Sequence, residues 1–245
     1  MTSKAQRLTI YALFALSLAL NTLLWAHARP IKARWLNVPP PPSREGVAFS
    51  GLGDKALAYR SIGLMLQNLG DTGGRVTGLK AYNYDNLVKW FYLADYLDPH
   101  SDFVPYLAAF YFGAVDDPKK LEPLVDYLHF AGNRSEGKKW VWLGHAVYLA
   151  RFQLKDQDKA YKMAVEMASL PGKLPAWTKE MPAFIMNVKG EKQAAYDIMV
   201  EILRSNAKEM DPIEVNFMRD YICNRILDKQ RAKADPVCEG IALAQ

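Results

Sequence analysis

The sequence predicts an all-α protein whose folded part follows a single membrane-spanning helix. Three observations carry this. Leu8 to Trp25 is an 18-residue run without a charged side chain, about the least that crosses a bilayer as a helix. From residue 51 onward, apolar side chains recur three and four residues apart, punctuated by Gly, Pro and Asp; that is the period of helices with one buried face. Apolar–polar alternation over strand lengths is absent.

After a short tail (1–7), the segment 8–28 is expected to be a signal anchor. Trp25 closes the apolar run, where an interfacial aromatic is favoured. Ala26-His27-Ala28 also offers the small residues of a cleavage site, so a cleaved leader is the competing reading. The run is longer than a usual leader's apolar stretch, which favours the anchor. Lys4 and Arg7 precede it and Arg29, Lys32 and Arg34 follow it, so flanking charge barely distinguishes the two orientations. The short tail favours export of the long C-terminal part, hence a periplasmic or otherwise extracytoplasmic body.

The formal charge of +5 is not spread evenly. Residues 1–50 hold Lys4, Arg7, Arg29, Lys32, Arg34 and Arg44 against Glu45 alone, so 51–245 balances at 25 basic and 25 acidic residues. The basic excess flanks the apolar segment, where anionic headgroups attract it. Nothing in the remainder predicts a phosphate-binding stripe, and nucleic acid is not an expected partner. Residues 29–50 read as a linker stiffened by Pro39 to Pro42, with Trp35 and Leu36 near enough to the anchor to touch the interface.

The helical region, 51–210, divides into pairs. Ala58 to Asp71 reads as one helix with Gly63 in its middle and Gly70-Asp71 as its stop. Tyr84 to Pro99 reads as a second, with Leu87, Phe91 and Ala94 on one face and Pro99 ending it. Gly63 and Ala94 permit close helix approach, and Phe91 fills the gap. A second pair runs from Asp102 to Asn133, with Ala109 and Phe112 in the first helix and Leu121, Val125 and Leu128 in the next. Pro118 suits that helix start; Pro123 predicts a kink. A third pair opens with Trp140-x-x-Leu143-Gly144, turns at Lys155-Asp156, and continues through Ala160, Ala164 and Met167. A fourth has Ala183, a turn at Gly190, then Ala195, Met199 and Ile202; Pro175 and Pro182 make its first helix irregular.

These positions resemble the tetratricopeptide repeat (TPR) family, over about residues 56–207. The resemblance implies an antiparallel helix-pair solenoid. Residues 72–83 interrupt the first pair with Gly73, Gly74 and Gly78, which the family pattern lacks. Arg75, Thr77 and Lys80 in this insertion are candidate contacts. Residues 211–245 would close the solenoid as a C-terminal capping helix and tail. Asp211-Pro212-Ile213-Glu214 is a strong helix start, and the helix is expected to reach about Lys229, burying Val215, Met218, Tyr221, Ile222 and Leu227.

Chemistry-bearing patterns are scarce. The histidines, His27, His100, His129 and His145, match no metal-ligand spacing, so neither a metal nor a cofactor is expected. Cys223 and Cys238 are too far apart for C-x-x-C chemistry. They can form a disulfide in an oxidising compartment, or stand as two buried thiols. Asp116-Asp117 and Asp95/Asp98 could be cast as glycosidase carboxylates but suit helix-end capping better.

The TPR resemblance implies a groove lined by the first helix of each pair. In the first pair that gives Arg60, Leu64, Gln67 and Asn68; in the second, Tyr106 and Phe110. In the third it gives Val141, His145 and Tyr148, and in the fourth Glu180, Phe184 and Asn187. Such a surface suits an extended or helical peptide. The expected function is a non-enzymatic, membrane-anchored scaffold or assembly factor holding a protein partner at the cell envelope. Two alternatives are a structural subunit of a larger membrane complex, with Asn21 bonding across helices, and an α-superhelical cell-wall lytic enzyme.

Overall fold

The computed structural model describes residues 4–28, 38–72, 75–134, 137–206 and 210–243, in two units that divide between Leu36 and Asn37. The first contains helix α1 (Lys4–Ala28), of which Gln6–His27 is long and apolar enough to cross a membrane. Its polar residues bond back to their own backbone: Asn21 Nδ2 donates to the Ser17 carbonyl (3.4 Å) and Thr22 Oγ1 to that of Leu18 (2.8 Å). That is how a hydroxyl or amide is tolerated among lipid chains. Arg29, Lys32, Arg34, Trp35 and Leu36 lie outside the described residues.

The described part of the second unit is helical apart from one two-residue β-pair. It begins earlier than the sequence suggested. Val38 is fully buried, its carbonyl accepts from Asn86 Nδ2 (3.1 Å), and the Pro39 carbonyl accepts from Trp90 Nε1 (2.8 Å). The prolines bring no N–H of their own, but their carbonyls remain strong acceptors, and side-chain donors meet them here. Ser43 then caps a short helix, α2 (Arg44–Ser50), by accepting from Gly46 N. Residues 38–50, expected as linker, thus belong to the packed body.

Asp54 starts α3 (Lys55–Gln67) and Asn83 starts α4 (Tyr84–Leu97), each with its carboxylate or amide oxygen on free amides of the first turn. Between them, Asp71–Thr72 pairs antiparallel with Arg75–Val76 as strands β1 and β2. Tyr82 is buried and donates to the Leu69 carbonyl, closing the insertion from behind. Helix α5 (Phe103–Tyr106) continues as a π-helical segment, Leu107–Tyr111, and a 3-10 turn, Phe112–Ala114. Then α6 (Pro118–Gly132) starts on the Asp117 cap with Pro118 in its first turn and carries Pro123 inside.

Helix α7 (Trp140–Leu149) runs on as a π segment, Ala150–Leu154, and stops at Lys155 in a left-handed conformation (φ 58°). The turn therefore falls at Lys155-Asp156, and Asp156 caps α8 (Gln157–Ala168). Helices α9 (Ala176–Lys189) and α10 (Lys192–Asn206) meet at Gly190 (φ 87°). Asp211 caps α11 (Pro212–Tyr221), which becomes π-helical over Ile222–Ile226. The expected continuation to Lys229 fails because Asp228 caps a new short helix, α12 (Lys229–Ala234).

Helices near in sequence are near in space: α3 packs on α4, α4 past the short α5 on α6, α6 on α7, α7 on α8, α8 on α9 and α9 on α10. Phe91 sits between Phe112 and Tyr127, with ring centroids 5.6 and 5.2 Å away and all three rings fully buried. Helices α6 and α7 meet tightly at Gly132. A Cβ there would lie 2.6 Å from Leu143 Cα, so only glycine lets α6 and α7 meet. A second core forms around Met199, Met218 and Ile222. Beside it Cys223 and Cys238 are joined in a disulfide with Cα atoms 5.7 Å apart, which holds the tail on the π end of α11.

Candidate functional site: an aromatic groove

The site is built on a rigid polar joint. At the α4–α5 turn, Asp102 accepts from Lys139 Nζ and Trp142 Nε1, both at 2.7 Å, and Lys139 Nζ also donates to the Ser101 carbonyl. Partial burial works to raise the Asp102 pKa, but the bonds from Lys139 and Trp142 outweigh it and hold the carboxyl below its usual range. Nearby, buried Asp95 pairs with Arg134, which also donates to the Pro99 carbonyl. These contacts fix where α7 begins and how Trp142 is turned.

Trp142 stacks on His145 (centroids 5.8 Å), and Phe110, in the π segment after α5, meets the same imidazole edge-on at 4.5 Å. Tyr106 leans on Phe110 at 4.9 Å. Burial pushes the His145 pKa below its ordinary value, so the ring is neutral at pH 7. From α9, Trp177 reaches Gly144, where an added Cβ would stand 3.3 Å from its ring, and it meets Trp140 at 5.7 Å. Of these residues, Phe110, Trp140, Gly144, His145 and Trp177 line a cavity of about 680 Å³ between the first helices of the second, third and fourth pairs. Phe110, Trp140, His145, Tyr148, Trp177 and Met181 form its working surface, and no lysine, arginine, aspartate or glutamate lines it.

Of the groove positions expected from sequence, Phe110, Val141, His145 and Tyr148 border this cavity. Tyr106 is beside it and half exposed. Arg60, Leu64, Gln67 and Asn68 are exposed on α3 but do not line it; Asn68 Nδ2 bonds to the Leu64 carbonyl.

The fourth pair departs most from expectation. Glu180 is buried at 2% exposure rather than presented. Phe184 packs against Phe217 and Tyr221, and Asn187 donates to the Tyr221 hydroxyl, so α11 takes both. The residues of α9 that face the cavity are Trp177 and Met181, which sequence reasoning missed. A signal was there: Trp177, Met181, Phe184 and Val188 repeat at helical spacing and make a better apolar stripe than Glu180 and Asn187.

In the insertion, Lys80 pairs with Asp116 (3.0 Å) and Thr77 N donates to the Gly70 carbonyl. Lys80 is therefore engaged at the α5–α6 junction and does not line the groove. The Arg75 side chain, Gly73 and Gly74 lie outside the described residues. The acidic pairs serve as caps and ion pairs: Asp117 accepts from Lys119 N, and Asp98 from the amides of His100 and Ser101. Among the described residues no three His, Cys, Asp or Glu side chains are placed to hold a metal ion. No protein-family model, curated protein or solved structure matches the chain.

Proposed function

We propose that the chain is a membrane-anchored, non-enzymatic scaffold or assembly factor of TPR-like build, whose aromatic groove holds a segment of a protein partner at the cell envelope. The observation that carries the reading is the groove itself. It is an open, uncharged aromatic cleft of about 680 Å³, bordered by consecutive first helices. Val38 and Pro39, ahead of the first helix of the body, do not fill it, since their carbonyls accept from Asn86 and Trp90 of α4. An uncharged lining selects an uncharged occupant, because a buried unpaired charge would cost several kcal/mol. The partner segment is therefore an extended or helical peptide with apolar anchors.

Support for the TPR-like build comes from sequential helix packing and from small residues that receive the next pair's aromatic: Phe103 over Gly63 and Trp177 over Gly144. Support for an extracytoplasmic body comes from the disulfide, which persists in oxidising compartments. The test is capture from detergent extract with the wild type and with Tyr106→Ala/Phe110→Ala. An aromatic anchor contributes about 2 kcal/mol or more, so the double variant should hold its partner at least thirtyfold more weakly, by order of magnitude. An unchanged set of captured proteins removes the groove from the argument.

A second reading, a structural subunit of a larger membrane complex, is favoured by Asn21. Its amide makes only a long bond to Ser17 (3.4 Å), which a neighbouring helix would improve on.

A further inference from the structure

Among the described residues of the second unit, the most exposed large apolar side chains are at one point, and neither lines the groove. Phe49 is 84% exposed and Leu52 is 88% exposed. Leu52 has a left-handed backbone (φ 51°) that a branched aliphatic residue rarely adopts. It is held there by its neighbours. Gly51 is so close to the start of α3 that a Cβ would meet Ala58 Cβ at 2.8 Å, and Gly53 (φ 85°) completes the reversal. The amides of Leu52 and Gly53 donate to the carbonyls of Phe49 and Ala48. The result is a rigid knuckle that holds a phenylalanine and a leucine out in solvent. A strained outlier in such a place asks for a use.

Its surroundings indicate which. Arg44 and Lys55 lie over the Tyr96 ring, at 4.3 and 5.3 Å from its centroid, on either side of the knuckle in sequence. Glu45 and Asp54 are the acidic groups in the same stretch. Asp54 is spent on the amides of Ala56 and Leu57 as a helix cap. The knuckle also comes early after the membrane segment. Nine residues lie between Ala28 and Val38, a reach of at most about 35 Å of extended chain, and among the described residues α2 is the first helix that follows.

We propose that the Phe49–Leu52 knuckle inserts into the headgroup layer of a phospholipid bilayer, giving the body a second, reversible membrane contact beside its anchor. Two apolar side chains are a weak interfacial signal alone, as a single lipid chain is. Beside an anchor they act at high effective concentration, where a weak contact suffices. Arg44 and Lys55 would meet the phosphates while Phe49 and Leu52 enter the acyl boundary.

The test uses the full-length protein in vesicles of phosphatidylcholine and phosphatidylglycerol. Leu52→Cys carries an environment-sensitive fluorophore, with Lys192→Cys on α10 as the aqueous reference. Cys223 and Cys238 are bonded to each other and leave the new thiol as the reactive one. Lipids brominated at a shallow acyl position should quench the label at 52 and leave that at 192 bright. Equal emission at the two positions overturns the proposal. So does a blue-shifted label at 52 that bromine does not quench and that strengthens with the protein-to-lipid ratio, since the knuckle would then be buried against a second copy.

Discussion

Glu180 shows how one buried side chain carries a consequence for the whole body. Burial, with Glu214 nearby adding like charge, pushes its pKa from 4.5 up to about 7. The sign follows from proton uptake. Between pH 4.5 and 7 the folded protein keeps a proton that the unfolded chain releases, so stability is full below the lower value and falls as pH rises through the upper one. The span of the shift corresponds to roughly 3 kcal/mol, of which about 2.5 kcal/mol falls between pH 5 and pH 8. Glu180→Gln should therefore flatten the melting temperature between pH 5 and pH 8, where the wild type should lose about 5–10 °C. A wild type equally stable at both pH values would show that Glu180 is better solvated than its position implies. At this same scale the small residues were the most legible. Gly63 was recognisable as a site of close approach because a missing Cβ has one common use in a helix interior. Glu180 was misread because nothing local distinguishes a glutamate on a groove from one facing a core.

At the scale of elements, the helix starts at Pro118 and at Asp211-Pro212 were readable and helix phase was not. Asp54, Asn83, Asp117, Asp156 and Asp211 all accept from first-turn amides, because a short acidic or amide side chain before an apolar period has a local reason to be there. Phase depends on what the helix packs against. In α9 the cavity-facing stripe is Trp177 and Met181, while Phe184 and Asn187 turn to α11. The π segments after α5, α7 and α11 were invisible too, since they follow from packing at helix ends rather than from composition. One element-scale prediction concerns the tail. The Cys223–Cys238 bond spans 15 residues, and a loop of that length is stabilised by about 3 kcal/mol through restriction of the unfolded chain. Cys223→Ser/Cys238→Ser should lower the unfolding free energy by about that much and speed amide exchange over 229–243. An unaltered denaturant midpoint would mean that the second core holds the tail unaided.

For the whole molecule, two parts share one chain: a neutral helical body with an aromatic groove, and an apolar helix with the basic excess around it. The scaffold and complex-subunit readings differ in whether that helix recognises anything. Replacing residues 8–25 with a polyleucine span should leave partner capture intact if the helix is only a tether. If capture and co-migration with a larger complex are both lost, Asn21 and its neighbours pack against another subunit. By itself the sequence determined the helical class, the candidate membrane span, the charge division and most helix boundaries. These follow from periodicity, propensity and capping, which act within a few residues. Only the tertiary structure decided that Val38 and Pro39 dock on α4, that Glu180 is buried, and that Phe110, His145 and Trp177 line one cavity from three helical segments. Such contacts join residues tens of positions apart, and their energy comes from shape complementarity and desolvation, which no local pattern encodes.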